Sequence, residues 1–103
     1  MSDPVDISFV IPAYQAEKTI KRCLLSILKI HSFDYEVIVV NDGSTDNTAE
    51  IVASFASEYQ SVFLINQENS GRSVARNCGI EHSPGTWLMF IDADDYLLDS
   101  ADV

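Results

Sequence analysis

An apolar run, Trp87-Leu88-Met89-Phe90-Ile91, ends abruptly in Asp92-Ala93-Asp94-Asp95. Three carboxylates so close in sequence repel one another, and a low-dielectric neighbourhood strengthens the repulsion. Two arrangements relieve it. Water can solvate the carboxylates in a turn that opens a helix, where Asp also meets the positive end of the helix dipole. Alternatively, a cation sits among them. Asp92-x-Asp94 offers hard oxygen ligands of the kind that Mg²⁺ and Mn²⁺ prefer, and an ion held by one or two carboxylates keeps positions for water and a diphosphate. Such an ion would also cancel charge building on a departing phosphate. Spacing alone does not separate the two arrangements.

Other residues carry similar pairs of readings. Asn41-Asp42-Gly43-Ser44-Thr45 is good turn chemistry, with Thr45, Asp46 or Asn47 as caps for a following helix. Asp42 could equally accept hydrogen bonds from a base edge such as the imide N–H of uracil. Tyr14 suits either a core aromatic or a stacking platform for a base. Arg72 and Arg76 lie four apart and so share one helix face, as solvated charges or as phosphate contacts. His31 and His82 have no partner in sequence and are not expected to be catalytic. Cys23 and Cys78 each occupy an apolar position in a helical pattern. With no C-x-x-C pair they read as two reduced core thiols rather than a zinc site.

Sixteen acidic against six basic side chains give a net charge of -10, which argues against a nucleic-acid polymer as partner. A small phosphorylated ligand remains compatible if a cation bridges it. Lys18, Lys21, Arg22 and Lys29 fall in one early segment, and Arg72 and Arg76 are the basic residues after it. At 103 residues the chain is one domain at most. No apolar run approaches the ~20 residues that span a bilayer, and Met1-Ser2-Asp3-Pro4 does not read as a signal peptide. A soluble cytoplasmic protein is the expectation.

These residues need a scaffold. Ile7-Ser8-Phe9-Val10-Ile11 is a β-rich run, expected to stop at Pro12. Ile20, Cys23, Leu24, Ile27 and Leu28 recur at helical spacing. Tyr35 to Val40 forms a second strand; Asn47-x-x-Glu50 is a candidate capping box for a helix carrying Ile51, Val52, Phe55 and Tyr59. Val62 to Ile65 is a third strand, Ser70 can cap a helix carrying Val74, Ala75 and Cys78, and Trp87 to Ile91 is the fourth strand. Near-continuous apolar strands alternating with helices predict an α/β, Rossmann-like parallel sheet covered on both faces, in the order 3-2-1-4. Such a sheet delivers every strand's C-terminal residues to one edge, so Pro12-Ala13-Tyr14, Asn41-Asp42-Gly43 and Asp92-Ala93-Asp94 should meet in one crevice.

The stretches "SFVIPAYQAEKTIKRCLLSIL", "EVIVVNDGSTDNTAEIV" and "NSGRSVARNCGIEHSPGTWLMFIDADDYL" closely resemble the nucleotide-binding half of inverting family-2 glycosyltransferases of GT-A fold, over about residues 6 to 99. The resemblance implies transfer of a sugar from a nucleotide-diphosphate sugar, a UDP-sugar in first place, to a saccharide or lipid-linked acceptor hydroxyl, with inversion and a divalent cation, Mn²⁺ or Mg²⁺. It implies surface polysaccharide or lipopolysaccharide synthesis, in the cytoplasm or peripheral to the inner face of the membrane. Pro12, Ala13 and Tyr14 match the loop that lies against the nucleoside, and Glu17 matches an acidic residue that starts the next helix. Asp42 matches the aspartate that pairs with the base, flanked by Asn41 and Gly43 in the donor site. Arg76 belongs to the A-R-N segment, whose role varies. Asp94 matches a metal ligand, while Asp92, with Ala93 beside it, would face the ribose or the metal's water shell. Gln15 stands where Asn is usual, and Asn41 where many relatives have Asp.

The family's general base lies well beyond its D-x-D motif, so residues 1–103 are expected to be the donor-binding portion, with the base beyond Val103 and no catalytic residue within the chain. Two other readings compete. A non-catalytic nucleotide-binding module fits the same site residues. "FIDADDYL" also superficially matches the nucleophile strand of haloacid-dehalogenase-type phosphatases, but that motif belongs on a first strand with a long domain after it. Finally, the apolar fourth strand, if uncovered, would invite pairing with a second copy and a homodimer through the sheet edge.

Overall fold

The computed structural model describes residues 5–97. Its elements run β1 (Ile7–Ala13), α1 (Ile20–Ile27), β2 (Tyr35–Asp42), α2 (Thr48–Glu58), β3 (Val62–Gln67), α3 (Arg72–Glu81) and β4 (Trp87–Phe90). The four strands form one sheet in the order β3-β2-β1-β4, every pair parallel, as the alternating pattern predicts. β1 lies centrally, with Val10 opposite Ile38 on one side and Phe90 on the other.

Alternate residues of a strand face opposite sides of a sheet. Phe9, Ile11, Val37 and Val39 pack with Ile20, Cys23, Leu24 and Ile27 of α1 and Val52 of α2 in the larger core. The opposite face uses Ile38 and Val40 against Ala75 of α3. Both faces of β1 and β2 are therefore covered, which explains why these strands read as unbroken apolar runs. α3 approaches β1 closely. A Cβ on Gly79 would fall 2.2 Å from Val10 Cγ1, so the helix can pack there only without a side chain.

Four details differ from expectation. Pro12 does not end β1; it pairs with Val40 and the strand continues to Ala13. Val10 O accepts from Ile91 N–H on the β4 side. Two residues on, Pro12 faces that same side, beyond the last paired residue Phe90, so its missing N–H removes no ladder bond. Asn47 makes no side-chain cap for α2; Asp46 accepts from Thr48 N–H instead, at 3.0 Å. Ser70 does not cap α3, since its hydroxyl donates to Glu68 O. Cys23 is fully buried but Cys78 only partly, and both are free.

β4 contrasts with its neighbours. It pairs with β1 alone among the described residues, and every one of its side chains is exposed, Trp87 by 70%. An apolar strand can thus be an open edge as well as a buried centre.

Candidate functional site

The parallel sheet sends the ends of β1, β2 and β4 to one edge, where a crevice of about 800 Å³ opens. Pro12, Ala13, Tyr14, Glu17, Asp42, Asp92, Ala93 and Asp94 all line it, so the fold does bring these distant segments together. Asn41, Gly43 and Arg76, also assigned to the donor site by the resemblance, do not line it. Asn41 is buried beneath, its amide donating to Asn66 Oδ1 and its Oδ1 accepting from Ser44 N–H. Gly43 has a positive φ of 72°, and a Cβ there would fall 2.6 Å from Asn69 N, so its part is to let two loops touch. Arg76 lies over the Phe90 ring at 5.6 Å.

The wall between β1 and α1 is built by exchanges with the β2–α2 loop. Gln15 stands at φ 53°, a left-handed conformation that Asn tolerates better than Gln. Its side-chain oxygen accepts from Thr45 N–H at 2.6 Å, and its own N–H donates to Ser44 Oγ at 2.9 Å. Thr48 Oγ accepts from Ala16 N–H at 2.8 Å, Asp46 accepts from Glu17 N–H, and the Glu17 carboxylate accepts from Asn47 N–H at 3.1 Å. Glu17 thus latches two loops while lining the crevice. Burial pushes the Asp46 carboxyl up, but the Thr48 hydroxyl and the Thr48 and Glu17 amides outweigh it and hold it below the ordinary range. The latched loop leaves Tyr14 55% exposed above the crevice, which makes it a surface platform and not a core aromatic.

Asp42 forms the floor. It is 4% exposed, and its carboxylate accepts from Gln67 Nε2 at 2.9 Å, Ser70 N–H at 2.8 Å and Gly71 N–H at 3.0 Å. Burial works to raise its pKa; those three donors win and lower it. The carboxylate therefore also shapes the start of α3, a part that turn chemistry did not predict. Two carboxylate oxygens offer about four lone-pair sites, so one more donor can still be accepted.

The acidic run is more exposed than Asp42. Ligand oxygens of Asp92, Asp94 and Asp95 lie within 4.8 Å of one another, with Asp94 and Asp95 exposed. Asp95 joins the two carboxylates of the D-x-D spacing. Arg72 Nη1 lies 4.0 Å from Asp92 Oδ1, a loose and exposed pair. Three convergent carboxylate oxygens are a hard donor set, and the residues present fit Mg²⁺ or Mn²⁺. Below them, burial and the carboxylates of Asp95 and Asp94 push the Cys23 thiol up to about 12, so it stays protonated. His31 and His82 are exposed and line no part of this crevice. Side chains not anticipated as lining it include Gln15, Lys18, Asp46 and Asn69; Asn69 and Gly71 lie within the "NSGRSVARN" stretch, but only tertiary structure aims them.

The family model for glycosyl transferase family 2 matches residues 8–102. The chain belongs to that family. It is 42% identical over 95 residues to the glycosyltransferase YibD of Escherichia coli (strain K12), covering 92% of this chain and 28% of YibD. It also resembles the crystal structure of Staphylococcus aureus TarS 1-349 in complex with UDP-GlcNAc, at TM-score 0.76 and 34% identity, over 88% of this chain and 27% of that one. The mannosyltransferase PcManGT of Pyrobaculum calidifontis, in complex with GDP-Man and Mn²⁺, matches in fold at TM-score 0.79 and 24% identity, over 95% of this chain and 30% of that one. The chain thus spans about a quarter of the length of these relatives. Family membership and the acidic run's place after the fourth strand set aside the phosphatase reading. Among the described residues no helix is long and apolar enough to cross a membrane.

Proposed function

We propose that residues 1–103 form the donor-binding portion of a glycosyltransferase that moves a sugar from a nucleotide-diphosphate sugar to an acceptor hydroxyl with inversion. The observation that carries this reading is one crevice lined by an exposed aromatic, a buried carboxylate with one acceptor site left, and two carboxylates, Asp92 and Asp94, whose oxygens converge with that of Asp95. Tyr14 offers its face to the base, with Pro12 and Ala13 alongside. Asp42 accepts the imide N–H of a uracil, an interaction a carboxylate already fixed by three donors makes without reorganising. Asp94 holds a divalent cation, with Asp92 and Asp95 as further oxygens. When bound, the cation neutralises the diphosphate leaving group. The UDP-GlcNAc complex of TarS supports a UDP-sugar, and the Mn²⁺ complex of PcManGT agrees with a cation in this fold.

Asp42, Asp92 and Asp94 are thereby engaged, and a base within ~3 Å of an acceptor hydroxyl is expected from sequence beyond Val103. The acceptor is a saccharide or a lipid-linked acceptor, for surface polysaccharide or lipopolysaccharide assembly at the cytoplasmic side of a membrane. Calorimetric titration of UDP and GDP, with and without Mn²⁺, tests the reading: UDP should bind more tightly, and only with the cation. Metal-independent binding would refute the role given to the carboxylates. Acceptor-dependent donor consumption by this chain would refute the placing of the base. The open β4 edge adds an expectation of self-association, and a monodisperse monomer in sedimentation at high concentration would contradict it.

A further inference from the structure

The oxygens of Asp92, Asp94 and Asp95 converge although like charges repel, so the backbone that carries them needs an external hold. One hydrogen bond is local: Asp95 N–H donates to Asp92 O at 2.9 Å. Apart from the loose Arg72–Asp92 pair, further contacts come from α1. Arg22 Nη2 donates to Asp94 O at 3.3 Å, and its guanidinium lies 4.4 Å from the centre of the Tyr96 ring. Ser26 Oγ accepts from Leu97 N–H at 2.9 Å while donating to Cys23 O at 2.7 Å. Cys23 Sγ makes a long contact to Asp92 O at 3.8 Å. Arg22 and Ser26 are one helical turn apart, so they address one side of α1. Their partners lie within the acidic turn, at Asp94, and just after it, at Tyr96–Leu97, while Cys23 meets it at Asp92.

We propose that Arg22 and Ser26 are positioning residues that set the three carboxylates for a cation before it arrives. The proposal rests on the metal reading given above. Neither side chain needs to touch the ion. Ser26 fixes where the chain leaves the turn, and Arg22 fixes the Asp94 carbonyl, hence the direction of the Asp94 side chain. The chemistry resembles the outer-shell partners of a metal site, whose loss weakens binding through geometry rather than ligation. Arg22 is a sharp case because its charge alone should oppose a cation. If it acted only as a charge, weakening its bond to Asp94 would not loosen the metal.

The test uses Mn²⁺ itself, followed by the paramagnetic resonance of the free ion, in the presence of UDP. Ser26→Ala should weaken Mn²⁺ binding about tenfold, the lower end of the effect of outer-shell losses, while Ser26→Thr, which keeps the hydroxyl, restores it. Arg22→Lys keeps the charge but not the planar fork, and should also weaken binding. Melting temperatures followed by circular dichroism separate this from lost folding, and the threonine and lysine variants keep the question open to refutation if the alanine variant does not fold. Equal Mn²⁺ affinity in wild type, Ser26→Ala and Arg22→Lys would overturn the proposal, as would a threonine variant as weak as the alanine. Absence of Mn²⁺ binding in the wild type is a distinct result, which sinks the metal reading itself.

Discussion

Asp42 and the Asp92–Asp95 run stand at the same edge of the same sheet and are treated in opposite ways. The Asp42 carboxylate is buried and met by three donors of the chain itself. Asp94 and Asp95 are exposed, and the ion pair made by the run's carboxylates among the described residues is the loose one from Asp92 to Arg72, at 4.0 Å. A carboxylate held by three donors of its own chain contributes to folding. A cluster whose oxygens converge on open space does not, and its arrangement makes sense toward something outside the chain. The two sites should therefore fail in different measurements.

The largest expected effect is on folding. Asp42→Ala leaves Gln67, Ser70 and Gly71 without their acceptor, and hydrogen bonds to a charged group contribute more than neutral ones, so a loss of about 3 kcal/mol is expected. Urea unfolding measures it. A loss under about 0.5 kcal/mol, typical of an ordinary surface position, would show that the donors re-pair with water and that Asp42 is not a keystone of the floor.

Next comes the converse. Asp94→Asn should weaken Mn²⁺-dependent nucleotide binding by at least about tenfold, or 1.4 kcal/mol, and leave urea stability within about 0.5 kcal/mol of wild type. A variant that loses stability but keeps its metal dependence would reverse the comparison.

How far each site was legible follows from where its partners lie. The acidic run declared itself because its members are neighbours in sequence. Strand order was equally accessible, since β1 and β2 are apolar on both faces and alternate with helices. Asp42 was recognisable only as a turn residue or a base reader. Its partners lie 25 to 29 residues away, and two of them are backbone amides, which no side-chain pattern reveals. The same holds at Pro12, where the register decides: the ring faces the side on which β4 has already ended. The cap of α2 stayed open among Thr45, Asp46 and Asn47, with a capping box at Asn47, because Asp46 and Asn47 have similar chemistry and only tertiary contacts with Glu17 distinguish them.

Acid sharpens the contrast further. Asp42 and Asp46 both have folded-state pKa values below the ordinary 3.8. The unfolded chain then binds protons first as pH falls, so the stability these groups contribute is fully present above that value. It should be lost progressively below about pH 4, as pH falls through the depressed folded values. Urea midpoints between pH 6 and pH 2.5 test this, with Asp42→Asn as comparison. The variant should show a shallower acid decline. An identical decline would mean that other carboxylates dominate acid unfolding.

The smallest effect concerns Gln15, which belongs to the inward-satisfied class although it adjoins the outward-facing Tyr14. Its left-handed backbone carries strain, while its side chain returns a bond to Thr45 N–H. Gln15→Asn exchanges these terms: asparagine accepts φ 53° more readily but is one methylene too short to keep the same reach to Thr45. The bond from its own N–H to Ser44 Oγ is untouched. Stability should therefore change by no more than about 0.5 kcal/mol, the strain relief and a bond of about 1 kcal/mol nearly cancelling. Gln15→Gly removes the strain as well, but loses the bond and gives the unfolded chain more freedom, so it should cost about 1 kcal/mol. Paired urea curves read the difference between the two variants. Neither should alter Mn²⁺ affinity, because the loop they loosen is tied to Ser44 and Thr45 and not to the acidic turn. If Gln15→Asn weakened the metal as Asp94→Asn does, the crevice would be one coupled unit, and the division between a self-satisfied floor and an outward-facing cluster would fail.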